Sequence, residues 1–268
     1  MITAEEVKQN SENKEFILEA LKYDGAGLQY VSEELKNDKE VVLEAVKHWS
    51  KSIPLQYASE EFKNDKDVIL EAVKANGISL RYASEELRND KEVGIAAMQQ
   101  WDSTKGDLSE IEGRPGVFTY KENPLQYVSK ELQNDKEVVL EAVKTEGDSL
   151  QYAGEEVRND KEVVLEAVKR DGNALQYASE KLKNDRDIVV EAIKCQGCGN
   201  SLQYASEKLR NDKELALQAL QNVRVFRNFA IEYVGEDLHN DKEFMLEVIK
   251  RFDRNRHYGK CCKSIEIW

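Results

Sequence analysis

Cys195 and Cys198 are separated by two residues, the spacing of two thiolates on one zinc ion, and the adjacent pair Cys261 and Cys262 could supply two more. Adjacent cysteines seldom both reach one tetrahedral ion, and the two pairs lie about two repeats apart in the pattern described below. Cys195 and Cys198 also fall in a glycine turn that other copies of the segment make without cysteine. A redox pair of this spacing belongs in a strand–helix–strand setting, and no strand pattern surrounds it. His48, His239 and His257 are scattered, with no serine or cysteine arranged beside them as a nucleophile. The carboxylates are abundant but fall at helix starts and on open faces. No glycine-rich phosphate loop is present. The expectation is a protein that is not an enzyme, with no metal and no cofactor.

What positions these side chains is repetition. A block reading Leu-Gln-Tyr-Ala-Ser-Glu-x-Leu-x-Asn-Asp-Lys-Glu-Val-Val-Leu-Glu-Ala-Val-Lys recurs along the chain, marked by Asp38, Asp65, Asp90, Asp135, Asp160, Asp185, Asp212 and Asp241. Successive markers stand 27, 25, 45, 25, 25, 27 and 29 residues apart, a period that belongs to stacked arrays. In residues 28–47, Leu28, Val31 and Leu35 share one helix face, with Tyr30 on its flank. Asn37 suits a left-handed residue after that helix, and Asp38 suits the N-cap of the next. Val41, Val42, Leu43, Ala45 and Val46 then span so wide an apolar arc that the second helix must be covered on more than one side. Gly25, Gly77, Gly147, Gly172 and Gly199 close the unit and suit a positive φ. Ser79, Ser149 and Ser201, or Pro54 and Pro124, restart it.

The fold class expected is all-α, an α-solenoid of about 25-residue helix-turn-helix repeats. Residues 1–27 read as a degenerate N-terminal capping repeat in which Thr3 and Glu6 form a capping box. Residues 28–101 read as a first array, 102–123 as an insertion loop or hinge, 124–250 as a second array and 251–268 as a C-terminal tail.

The string Leu-x-Tyr-Ala-Ser-x-x-Leu-x-x-Asp-x-x-Val-Val-x-x-Ala-Val is cleanest at Leu80–Met98, Leu175–Ile193 and Leu202–Leu220. It resembles a tandem helical repeat family of unknown function found in protists, giant viruses and some intracellular bacteria. The resemblance spans roughly residues 28–250 and implies an all-helical array. It brings no catalytic residue or ligand to transfer. Gly94 in place of a core valine, Gly154 in place of the serine, and the weak copy at Glu232–Gly235 depart from the pattern.

Candidate binding residues come from the break in the pattern and from its exposed repeats. Trp101, Phe118 and Tyr120 would make the insertion a sticky loop, since insertions in arrays project from one face. On the first helix Gln126, Gln151, Gln176 and Gln203 recur. Lys130 inverts the charge of its stripe, in which Gln126, Lys130 and Gln133 stand one helical turn apart. On the second helix, acidic pairs ending in Glu141, Glu166 and Glu191 could form a rail for an extended basic peptide. The same residues also suit a solvated face of Glu–Lys pairs worth about 0.2–0.5 kcal/mol each.

The net charge of −13 opposes phosphate backbones and suits a basic protein or peptide. Arginines alternate with aromatics at 223–227 and 251–258, a mix that can grip nucleic acid but more often caps an array. No run approaches the length of a membrane helix, and the N-terminus lacks the order of a secretory signal. Four cysteines in 268 residues make no disulfide framework. The compartment expected is the cytoplasm, or a host cytoplasm for a delivered effector. The functional expectation is a protein-interaction scaffold; a structural spacer, a subunit of a larger assembly or a microbial effector engaging a host protein are the alternatives. Oligomeric state is not legible.

Overall fold

The computed structural model describes residues 2–48, 53–100, 122–195, 199–222 and 231–252. Every regular element among them is helical, and the chain forms two compact bodies, Met1–Thr145 and Glu146–Trp268. In the first body a leading pair, Ala4–Gln9 and Lys14–Leu21, precedes four repeats; the second body holds four more. The α-solenoid expectation holds within each body.

Each repeat has three helical pieces where the sequence suggested two. The third repeat runs as a 3₁₀ turn Gly77–Tyr82, a one-turn α-helix Glu85–Arg88 and a longer α-helix Lys91–Gln99. The sixth has Gly172–Tyr177, Glu180–Lys183 and Arg186–Lys194. The expected first helix breaks because its serine is an N-cap. Ser84 has an extended backbone, with ψ 159°, and its hydroxyl accepts from Leu87 N. Glu85 and Glu86 then favour the positive end of the new helix.

Three further local expectations are corrected. Asn37 is not left-handed: its φ is −97°. The 3₁₀ turns are capped one residue before the glycine, where Asp24, Asn76 and Asp171 accept the N–H two residues on. Ser79 and Ser149 are buried inside the turns instead, as is Ser201. Gly25, Gly77 and Gly147 do not take positive φ; their need is space. A Cβ on them would lie 2.0, 2.2 and 2.5 Å from the carbonyl oxygens of Ala45, Ala97 and Ala167. The turn thus closes against the last turn of its own repeat's long helix. Pro54 and Pro124 do occupy the first turn of their 3₁₀ pieces.

The long helices form the core. Val68, Ile69, Ala72 and Val73 are buried, as are Val163, Val164, Ala167 and Val168. Each such valine or isoleucine contributes about 1.5–3 kcal/mol by leaving water. Within a body the long helices lie side by side, and a 3₁₀ turn such as Gly77–Tyr82 sits between Lys66–Ala75 and Lys91–Gln99. The wide apolar arc is therefore covered on more than one side. The one-turn helices rest on the long helix of their own repeat.

The third and fourth repeats flank residues 101–121, which lie outside the described residues. Their long helices, Lys91–Gln99 and Lys136–Thr145, nevertheless pack directly on one another.

Candidate partner-binding surface

The candidate acidic rail is largely matched by the protein's own cations. At four joints the lysine that opens a long helix reaches the N-cap aspartate of the next repeat. Lys39 lies 2.6 Å from Asp65, Lys66 2.7 Å from Asp90 and Lys91 2.8 Å from Asp135 in the first body. Lys161 lies 2.7 Å from Asp185 in the second. The same lysines contact the next acidic residue, as Lys66 does Glu92 at 2.8 Å and Lys91 does Glu137 at 2.9 Å. The other oxygen of each aspartate caps its helix; that of Asp90 accepts from Glu92 N and Val93 N. Burial alone would raise these carboxyls. The lysine and the helix N–H groups outweigh it and hold Asp65, Asp90, Asp135 and Asp185 below the usual carboxylate range.

Glu141, Glu166 and Glu191 are half-buried, each paired with the lysine three residues on: Lys144 at 2.6 Å, Lys169 at 3.8 Å and Lys194 at 3.0 Å. These carboxylates belong to the array's own ion pairs. The stripe through Gln126, Lys130 and Gln133 also dissolves. Gln126 ends the 3₁₀ turn Pro124–Gln126, while Lys130 and Gln133 bound the one-turn helix Lys130–Gln133. Lys130 is exposed, and Gln133 Nε2 turns inward to donate to the Leu125 carbonyl at 3.2 Å.

A second ladder joins the one-turn helices. Ser84 N donates to the Lys63 carbonyl at 2.9 Å, and its hydroxyl donates to Asn64 Oδ1 at 2.6 Å. Ser179 with Arg158 and Asn159, and Ser206 with Lys183 and Asn184, repeat the pattern. The Asn-Asp-Lys tripeptide therefore takes three roles: the amide accepts from the next serine, the aspartate caps, and the lysine reaches forward.

What remains is the row on the 3₁₀ turns, which pack on one another along each body. It carries the predicted glutamines: Gln151 is exposed and Gln126, Gln176 and Gln203 are half-buried. Beside each stands a half-buried tyrosine, Tyr127, Tyr152, Tyr177 and Tyr204. Sequence reading placed the tyrosine on the flank of a core face; its recurrence in every full copy, beside glutamine in all but the third, was the available signal. Tyr82 shows how the row joins, its hydroxyl donating to Gln56 Oε1 of the preceding repeat at 3.3 Å.

Cations already use these rings. Lys8 Nζ stands 4.8 Å above the Tyr30 ring. Arg81, which replaces the glutamine of its repeat, lies 5.1 Å from the centre of Tyr82 and 5.8 Å from that of Tyr127. Its guanidinium also donates to both carboxylate oxygens of Glu122, at 2.9 and 3.0 Å. In the second body, burial first and nearby carboxylates next raise the phenols of Tyr152 and Tyr177. Glu146 and Asp148 act on Tyr152; Asp148 acts on Tyr177 together with Tyr204, Tyr152 and Asp171. Tyr204 is raised by burial, then by Tyr233, Asp148 and Asp171.

Trp101, Phe118 and Tyr120 lie outside the described residues, as do Cys198, Cys261, Cys262 and His257. Cys195 is half-buried. His48 pairs with Glu44 at 3.2 Å. Among the described residues no group of three or more histidines, cysteines or carboxylates is placed to hold a metal ion, and no helix is long and apolar enough to cross a membrane.

A family model described as "Domain of unknown function (DUF4116)" matches six times in tandem, over residues 13–63, 51–88, 65–102, 118–158, 160–198 and 195–229. No curated protein matches, and neither does any solved structure.

Proposed function

The chain belongs to the DUF4116 family, and we propose that it is a non-enzymatic scaffold that binds a protein or peptide along its glutamine–tyrosine row. The observation that carries this reading is the division of labour within the repeat. Asparagine, aspartate, lysine and serine are spent on joints between repeats. The glutamine and tyrosine recur as regularly and stay partly open to solvent. An amide beside an amphipathic ring joins adaptable hydrogen bonding to contact area from a ring with little rotamer entropy to lose, a combination that suits binding surfaces. Such an array offers one similar contact per repeat and suits an extended partner. We place it in the cytoplasm, with no metal, cofactor or nucleic acid required.

Affinity capture from cell lysate tests the reading, comparing the intact chain, a version lacking residues 104–119, and a version with Gln151, Gln176 and Gln203 all changed to alanine. A partner kept by the deletion and lost by the triple substitution supports the row. A partner lost only with the deletion moves recognition to Trp101, Phe118, Tyr120 and their neighbours. Turnover of a substrate by the purified chain would overturn the non-enzymatic reading.

A further inference from the structure

Arg158 and Arg210 end the one-turn helices Glu155–Arg158 and Glu207–Arg210 of the fifth and seventh repeats. Both are half-buried, and among the described residues neither makes an ion pair. Glu155 and Glu207, three residues before them, are exposed and stand apart. In the sixth repeat the matching Glu180 does reach Lys183, at 2.9 Å. The Nε atom of each arginine is shut off from solvent and meets no acceptor. The chain holds 52 acidic residues against 39 lysines and arginines, so the two guanidiniums are unmatched by local arrangement and not by shortage of acids. A half-buried guanidinium without a carboxylate is costly. With Nε enclosed, its outer nitrogens are the atoms left to meet an acceptor arriving from outside.

The side chains around them make a cationic patch. The sixth repeat's one-turn helix reads Glu-Lys-Leu-Lys and the seventh's Glu-Lys-Leu-Arg, two cations to one carboxylate. The other one-turn helices carry one lysine or arginine at most. Backbone bonds join the three pieces in order: Ser179 N donates to the Arg158 carbonyl and Ser206 N to the Lys183 carbonyl, both at 3.0 Å. Arg158, Lys183 and Arg210 therefore hold the same place in three successive repeats. Lys181 and Lys208 are exposed. Glu180 keeps 88% of its side-chain exposure, so solvent screens its bond to Lys183 and an incoming carboxylate can replace it. Exposed acids bound the patch, Glu155 and Glu156 at one end and Glu236 and Asp237 at the other.

The net charge of −13 favours a basic ligand at long range. At physiological salt that field is screened within about 8 Å, and contact is decided by local charge. A guanidinium takes a carboxylate through two parallel hydrogen bonds. A nucleic-acid strand carries a phosphate about every 3.4 Å along its whole length and would run on into the acids at both ends. A short run of carboxylates can stop with the patch. We infer that Arg158, Lys183 and Arg210, with Lys181 and Lys208 beside them, bind a short acidic segment of a partner protein. This goes beyond the glutamine–tyrosine row and does not rest on it.

The probe is a fluorescein-labelled peptide of six glutamates, titrated into the full chain by anisotropy, beside a peptide of six glutamines. The glutamate peptide should bind at least about tenfold more tightly, and its affinity should fall as salt rises. Arg158→Gln together with Arg210→Gln should weaken it at least about tenfold, since two carboxylates lose their partners. Lys169→Gln together with Lys194→Gln removes the same charge from the ends of two long helices, where Glu166 and Glu191 already hold the lysines. That pair should change the affinity less than about twofold. Circular dichroism checks that each variant is folded. No binding of the glutamate peptide, equal losses from the two pairs of substitutions, or tighter binding of an oligothymidylate of the same charge overturns the proposal.

Discussion

The joint between the second and third repeats and the joint between the seventh and eighth use the same backbone contact with different side chains. In the first, Ser84 N donates to the Lys63 carbonyl at 2.9 Å; in the last, Gly235 N donates to the Arg210 carbonyl, also at 2.9 Å. Ser84 adds a hydroxyl bond to Asn64. Gly235 cannot, and Asn211 Oδ1 is taken up by Asp237 N at 3.1 Å instead. Lys66 reaches the N-cap Asp90, whereas Lys213 reaches Glu247, at 3.0 Å, farther along the long helix Lys242–Phe252. The backbone bond is common to these two joints. The side-chain bonds differ between them, and each amide oxygen, of Asn64 and of Asn211, still finds a donor.

The largest effect should come from a methyl group at Gly77, in the turn that opens the third repeat, compared with one at Gly235, in the last joint. A Cβ at Gly77 would meet the backbone oxygen of Ala97 at 2.2 Å, which can yield only if the long helix moves. Gly77→Ala should therefore cost about 3 kcal/mol, the upper part of the range for overpacking. A Cβ at Gly235 would meet the amide oxygen of Asn211 at 2.0 Å, the end of a side chain that can rotate. Gly235→Ala should cost about 1 kcal/mol, the hydrogen bond to Asp237 N. Urea unfolding with hydrogen exchange resolved by repeat measures both, since an array need not unfold as one unit. Equal costs at the two sites would remove the distinction between a backbone-limited and a side-chain-limited contact.

That distinction marks how much could be read in advance. The α-helical array, the aspartate N-caps and the capping box at Thr3 were legible because they depend on local patterns of period and capping. The break after Val31 was not, although Ser32 followed by Glu33 and Glu34 is a helix start. The continuous apolar spacing of Leu28, Val31 and Leu35 outweighed it. The glycines were assigned to turns correctly and to positive φ wrongly, since a close approach to Ala45 or Ala97 is a tertiary fact with no local signature. The tyrosines beside the glutamines were passed over for the same reason. Only the structure shows rings from successive repeats sharing Arg81.

Acid should separate the regular joint from a version of itself without the lysine. The folded carboxyl of Asp90 lies below its ordinary value, so its contribution is fully present above about pH 4, the unfolded value. It is lost as pH falls through the folded value. Asp90 and Lys66 keep 27% and 41% of their side-chain exposure, so solvent screens the pair. Lys66→Met should lower stability at neutral pH only slightly. It should also narrow the acid loss in Lys91–Gln99, completing it at higher pH, nearer the unfolded value. Hydrogen exchange across that helix between pH 5 and 2.5 gives the readout, with Arg186–Lys194 as the internal control. An unchanged acid profile would mean that the helix N–H groups alone depress Asp90.

The smallest effect should run in the stabilising direction, at the contact between the third and fourth repeats. Gly94 takes the place of a valine within Lys91–Gln99, which on sequence grounds reads as a weak point in the core. The neighbouring repeat has closed around it. A Cβ there would stand 3.4 Å from Leu132, 3.7 Å from Val128 and 3.8 Å from Val138, all ordinary contacts with side-chain methyl groups. Gly94→Ala should therefore bring a helix-propensity gain of about 0.5–1 kcal/mol with little steric cost. The urea midpoint should rise with no change in slope, and protection should increase in both Lys91–Gln99 and Lys136–Thr145. A loss of stability would show that Leu132 cannot give even a few tenths of an ångström. The joint beside residues 101–121 would then be packed as tightly at its centre as the others are at their turns.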